Sequence, residues 1–116
     1  DEATLRYHYI QDLNGLHSYE MRGIVASEVC RAYVASLPKR LEFRVVGAPE
    51  GFAQGDRILA IDGVELYSPQ QMGWLMGGSP CPEFTLLRDG QTVVIKPPRI
   101  DGNRFGIAVE TTLADQ

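Results

Sequence analysis

Asp56-Arg57-Ile58-Leu59-Ala60-Ile61-Asp62-Gly63-Val64-Glu65-Leu66 decides the reading of this chain. An apolar, β-prone run meets Asp62-Gly63, and a shorter run follows. A two-residue hairpin turn needs positive φ at its centre, which glycine accepts freely and aspartate tolerates. The stretch therefore predicts a strand, a tight turn and a short returning strand.

Downstream, Ser68-Pro69-Gln70-Gln71 opens a helix. Ser68 is placed to cap the free amides, Pro69 suits the first helical position, and Gln71 completes a capping box. Met72, Leu75 and Met76 share one face, and Gly77-Gly78 ends the helix. Beyond Pro80 and Pro82, Phe84-Thr85-Leu86-Leu87 and Thr92-Val93-Val94-Ile95 flank a second Asp-Gly turn at Asp89-Gly90. Pro97-Pro98 stops that hairpin, and a turn at Asp101-Gly102 leads to a final strand over Phe105–Val109.

Upstream, Leu41–Val46 alternates as a half-buried strand does. Ser27–Leu37 predicts a helix, with Val29, Ala32, Tyr33 and Leu37 at helical spacing and Pro38 beyond. Leu5, Tyr7 and Tyr9 alternate, which suggests a strand over Leu5–Ile10. Short strands with two helices indicate an α+β domain on a small antiparallel sheet, a partly open sandwich or barrel capped by two helices.

The chain has 116 residues, enough for one domain with a real core. A net charge of −4 and scattered arginines argue against nucleic acid as a partner, because phosphate binding needs clustered cations. No apolar run is long enough to insert into a membrane, and the opening Asp1-Glu2 has no signal-peptide character. The start without methionine suggests a fragment of a larger protein. Cys30 and Cys81 are too few for a zinc site. They are a disulfide or two small buried apolar residues, and the helical stripe around Cys30 favours the second.

The run from Val45-Val46-Gly47 through Gly55-Asp56 to Ile61-Asp62-Gly63 resembles bacterial PDZ domains, and so do the capped helix and the Thr85-to-Gln91 hairpin behind it. The likeness covers residues 41–96 as a PDZ core, with 1–40 an N-terminal extension and 97–116 a terminal strand, all one domain. Gly55 and Gly63 fit sharp turns, and Asp56 is suited to hold its loop by accepting backbone hydrogen bonds. These residues carry identity rather than function.

The resemblance implies a module that takes a protein C-terminus or an extended peptide as an added strand. Consecutive amides of an x-Φ-Gly-Φ loop would hold the carboxylate. Arg104-Phe105-Gly106-Ile107 fits that loop and leads into Ala108, the arrangement of circularly permuted PDZ domains in site-2 membrane metalloproteases. The rival is Met21-Arg22-Gly23-Ile24, placed as in HtrA-type serine proteases, where Arg22 departs from the apolar position. On the capped helix, Gln71 and Trp74 or Leu75 would face the peptide. Trp74 has two equal readings, groove wall and plain core.

The implied setting is a regulatory or substrate-selecting part of a periplasmic or membrane-associated protease, with the parent's protease domain as the other partner. The alternative is a structural module docking within its parent or a secretion-type assembly. No cofactor or metal is implied, because His8 and His17 lack ligand spacing. Cys30, His17 and Asp12 contain the residue types of a thiol nucleophile and base. Cys30 sits on a helix face read as buried, so a catalytic role is not expected.

Overall fold

Strand β1 (Lys39–Gly47) is the hub of the fold. In the computed structural model, which describes residues 1–99 and 105–116, it pairs antiparallel with β2 (Arg57–Ile61) on one side. On the other it pairs with the last strand, β6 (Ala108–Asp115), from Lys39↔Asp115 to Gly47↔Ala108. The hairpin partner β3 (Val64–Glu65) joins β2, as do β4 (Phe84–Arg88) and, beyond it, β5 (Gln91–Ile95). The resulting six-stranded antiparallel sheet is open, with path β5-β4-β2-β1-β6. Three helices cover it: α1 (Glu2–Met21), α2 (Ser27–Ser36) and α3 (Pro69–Gly78).

The α+β class expected from the sequence is found, on a sheet with two ends and three helices rather than two. Both Asp-Gly turns form as expected. Asp62 and Gly63 have φ of 52° and 77°, and Asp89 and Gly90 of 50° and 77°, the paired positive angles that match strand twist. Ser68 caps α3 by accepting from the Gln71 amide at 3.1 Å. Gln71 itself accepts from Tyr67, one residue before the cap, at 2.6 Å.

Residues 5–10 depart from expectation. They belong to α1, not to a strand. Asp1 caps this helix, its carboxylate accepting from the Thr4 amide at 2.8 Å. Tyr9, Ile10, Leu13 and Leu16 recur at helical spacing and pack on the core. The alternation of Leu5, Tyr7 and Tyr9 is incidental, because Leu5 and Tyr7 are exposed. In α2 the helix is as expected but its buried face is not. Cys30 and Val34 turn inward, while Val29, Ala32 and Tyr33 face out.

The final strand also differs, starting at Ala108 rather than Phe105 and running to Asp115. Phe105 is instead a core residue, 2% exposed, edge-on to Phe84, which is in turn edge-on to Phe52. Such edge-to-face pairs add about 0.5–1.5 kcal/mol each beyond the area they bury. Leu13, Leu41, Phe43, Val45, Ile58, Ile61 and Leu86 complete the core. The loop between β1 and β2 is held by Asp56. Its carboxylate accepts from the Ala53 amide at 2.8 Å and takes a two-point grip from Arg88, at 2.9 and 2.8 Å. That guanidinium is the first reason the Asp56 carboxyl lies below its usual range, against the opposing effect of burial.

Candidate functional site

β6 is an edge strand. Its one hydrogen-bonded neighbour among the described residues is β1, so its outer row of amides and carbonyls has no strand partner. The segment feeding it is Phe105-Gly106-Ile107. Phe105 is fixed in the core, Ile107 is half-buried, and Gly106 between them has φ of 72°. That left-handed angle, which glycine accepts freely, lies between an anchored aromatic and the approach to the strand. Gly47, opposite Ala108 at the register shift of β1, leaves room for it: a Cβ there would come within 3.1 Å of the Ala108 Cβ.

α3 packs against α1 and β2 and is tied at both ends. Arg99 ties its C-terminal end to the Phe105 turn. The guanidinium lies 4.7 Å from the Phe105 ring centroid and donates to the Met76 carbonyl at 3.1 Å and to the Ser79 carbonyl. The other end of α3 meets α1. The Gln70 amide donates to Asn14 Oδ1 at 3.0 Å, and its side-chain amide lies 3.2 Å from His17 Nδ1 and donates to Ser18 Oγ at 2.7 Å. α1 also packs against β1 and β6, and its first turn shares a corner with the end of β6: Asp1, Glu2 and Leu5 beside Leu113, Ala114 and Asp115.

α3 is thus tied to the Phe105-Gly106-Ile107 segment at its end and to α1 at its start, and α1 also packs against β1 and β6. On α3, Met72, Leu75 and Met76 pack into the core as the sequence suggested. Trp74 is 58% exposed, which excludes the plain-core reading. It lies one turn beyond Gln70, on the same stripe of the helix that meets α1. Gln71 borders a cavity shared with α2 and the strands β1–β3, not the β6 edge. It is buried, and its amide nitrogen donates to the Glu65 carbonyl at 2.9 Å, so it binds the β3–α3 connection together. Leu75 is likewise core packing, and Arg104 lies outside the described residues.

The rival glycine turn stands elsewhere. Arg22 is the C-cap of α1, Gly23 follows with φ of 72°, and Ile24 is exposed. This is a helix-terminating turn whose Ile24 amide donates to the Tyr19 carbonyl at 2.9 Å, and α2 rather than a strand comes next.

The α1 end carries titratable groups that the sequence reading did not connect. His17 is 3% exposed, and burial pushes its pKa down despite the nearby Glu20 charge. Burial alone would raise Glu20. Hydrogen bonds from Tyr67 and Ser27, with the charges of His17 and Arg31, outweigh it and hold the carboxyl low. Tyr67 donates to Glu20 at 2.6 Å, and burial together with that carboxylate drives its hydroxyl pKa far up. Spacing offered one signal for this cluster: His17 follows Leu13 by four residues on the stripe α1 buries.

A separate cavity of about 560 Å³ lies between α2 and the strands β1–β3, with Cys30, Val34, Ile58, Leu66 and Tyr67 in its wall. Both cysteines are free thiols. Cys30 is buried and its pKa is raised, chiefly by burial, away from thiolate reactivity, while Cys81 is exposed. On the sheet itself, Glu42 of β1 is gripped by Arg40 at 2.9 Å, Arg57 at 3.1 Å and Arg44 at 3.5 Å. Among the described residues no acidic, histidine and cysteine cluster suits a metal ion, and no helix is long and apolar enough to cross a membrane.

Comparison with protein-family models, curated proteins and solved structures gives no match.

Proposed function

We propose that the chain is a PDZ-like recognition module that takes the C-terminus of another protein as a strand added to β6, opposite α3. One observation carries the reading: Phe105-Gly106-Ile107, with Gly106 at φ of 72°, leads directly into a strand whose outer edge has no strand partner among the described residues. Backbone groups of β6 supply pairing without regard to sequence, and α3, with Trp74 exposed on it, supplies side-chain contact. In this reading, the amides that follow Phe105 would hold the peptide carboxylate. The strand order β5-β4-β2-β1-β6, with the binding strand last in the chain, supports the circularly permuted arrangement of the site-2 protease type. The proposed role within a parent protein is regulation or substrate selection for a periplasmic or membrane-associated protease.

The test is binding of a pool of fluorescent C-terminal peptides, each made as free acid and as amide. Micromolar binding lost on amidation and weakened by Gly106→Val supports the reading. Binding indifferent to amidation assigns the edge to internal segments, and no binding of any peptide contradicts the reading.

A second reading, docking within a parent protein, has one observation in its favour. Val29 and Tyr33 share the outward face of α2 and are 55% and 48% exposed, close in sequence to exposed Ile24. It predicts that Tyr33→Glu disrupts contact with the parent while peptide binding is absent throughout.

A further inference from the structure

The cavity between α2 and the strands β1–β3 lies where the sheet splits. β1 stays in register with β6 along its length, from Lys39↔Asp115 to Gly47↔Ala108. With β2 it is in register at one pair, Arg44↔Arg57. The cause lies in β2, which slips register against β4 between Ile58 and Ala60. A bulge of this kind bends its strand and sharpens the local twist. Beyond it, β2 pairs with β3 on the side away from β4, at Ala60↔Glu65 and Ile61↔Val64. Among the described residues, Lys39–Phe43 of β1 therefore has no strand in register on the side away from β6. The cavity of about 560 Å³ opens there.

Strand alternation gives the two faces of this split different chemistry. Leu41, Phe43 and Ile58 are buried in the core. Arg40, Glu42, Arg44 and Arg57 take the alternate positions on the other face. The cavity wall holds Arg40 and Arg57 together with Leu41, Phe43 and Ile58, so the gap joins a charged surface to an apolar interior. Cys30 and Val34 of α2 line the interior as well. On the charged side, three guanidinium groups share one carboxylate. Arg40, Arg57 and Arg44 stand 2.9, 3.1 and 3.5 Å from Glu42, and no other acidic side chain among the described residues pairs with them. Two positive charges are left over. Burial lowers the Arg57 pKa, and the charges of Arg40 and Arg44 add to that effect against Glu42. A second anion beside Arg57 would oppose the shift. The acidic residues of the wall, Glu20 and Glu65, belong to α1 and β3, and Glu20 already accepts from Tyr67 at 2.6 Å.

We propose that the split binds a free aliphatic carboxylate, a fatty-acid anion of medium chain length, with its head at Arg40 and Arg57 and its tail in the gap beneath α2. A guanidinium fork matches a planar carboxylate at two points, which sets this head group apart from an alcohol or a cation. The tail meets Val34, Phe43 and Ile58, and about 560 Å³ is in the range that holds one small ligand. β1 stands between this site and the outer edge of β6, so the inference does not depend on the function proposed above.

The experiment titrates the ¹⁵N-labelled 116-residue chain with octanoate, and separately with octylammonium and acetate. Octanoate should bind saturably and shift the amides of Val34, Phe43 and Ile58 and the side chain of Arg57. Octylammonium carries the tail without the anion, and acetate the anion without the tail. Each should bind at least about tenfold more weakly than octanoate. Arg57→Gln should weaken octanoate by about tenfold or more, as loss of a charge-assisted hydrogen bond does. Glu42 keeps Arg40 and Arg44 in that variant, so its urea midpoint should show that it folds. If it does not fold, the comparison of octanoate with octylammonium on the wild-type chain decides alone. Equal binding of those two, or unchanged affinity in folded Arg57→Gln, overturns the site. So do shifts centred on the exposed Ile24, Val29 and Tyr33, or no saturable binding of octanoate.

Discussion

The two ends of α3 are tied into the molecule by different physics. At the turn end the closure is an aromatic in the core: Phe105 lies against Phe84 with the Arg99 guanidinium over its ring. At the α1 end the closure is mixed. Leu13 is buried in the same core, but the ties to α3 are Asn14, His17 and Ser18 on Gln70, and Glu20 on Tyr67. Both ends are thus built on one core, so the placement of α3 is fixed by folding. The α1 end is sensitive to protonation through His17.

The largest effect should come from the aromatic closure. Phe105→Ala leaves a cavity beside Phe84 and should cost about 3–5 kcal/mol, read as a fall in the urea midpoint with unchanged slope. Leu13→Ala follows, at about 2–5 kcal/mol. Here the shape of the transition matters as much as its position. One cooperative transition at lower urea supports a shared core, whereas an unchanged main transition with early loss of helical signal would mean that α1 folds apart and would break the comparison. Gly106→Ala asks a side chain to adopt φ of 72° and should cost about 1–2 kcal/mol. The size of that loss, measured by the same titration, sharpens how far the turn geometry is enforced by Phe105.

Protonation separates the ends directly. The folded pKa of His17 lies below its unfolded value of about 6.5, so the unfolded chain binds the extra proton more readily. Stability is then full above pH 6.5 and falls as the pH drops through that value toward the folded pKa. The loss is set by burial of the imidazole, which disfavours its charged form, and is partly offset by the Glu20 carboxylate. Melting at pH 7.5 and 5.5 should show this drop in the wild type and a smaller one in His17→Gln, with amide exchange faster in α1 and unchanged around Phe105. Equal loss of protection at both ends would contradict the polarity. The smallest effect on stability belongs to Trp74→Ala, within about 0.5 kcal/mol because the side chain is exposed, yet it should weaken peptide binding several-fold.

The region from Leu41 to Ile95 was legible because its signals are local. Asp62-Gly63, Asp89-Gly90 and Ser68-Pro69 each specify a turn or a cap from two or three adjacent residues. Asp56 could be assigned to its loop for the same reason, although its Arg88 partner is 32 residues away and invisible to local reading. α1 was misread because apolar residues lie on both its faces, with Tyr7, Tyr19 and Met21 exposed beside the buried stripe. Its role depends on Gln70, 56 residues beyond Asn14, and no pattern in the N-terminal segment announces that contact. In α2 the more apolar-looking face turned out to be the exposed one, because Cys30 and Val34 meet the core through tertiary placement alone. At the site, the local pattern extended the last strand back to Phe105, where the structure has an anchored aromatic followed by Gly106 at φ of 72°. The fixation of Phe105 in the core and the packing role of Gln71 were not legible, since each depends on partners that only the fold brings near.

The most direct measurement of the central claim is a chemical-shift map of the ¹⁵N-labelled chain titrated with a tight-binding free-acid peptide. The account predicts the largest shifts at Gly106, Ile107 and Ala108–Thr112 and at the indole of Trp74, with α2 and β5 unmoved. Shifts centred on the exposed β5 edge or on α2, with Gly106 and β6 unperturbed, would contradict it.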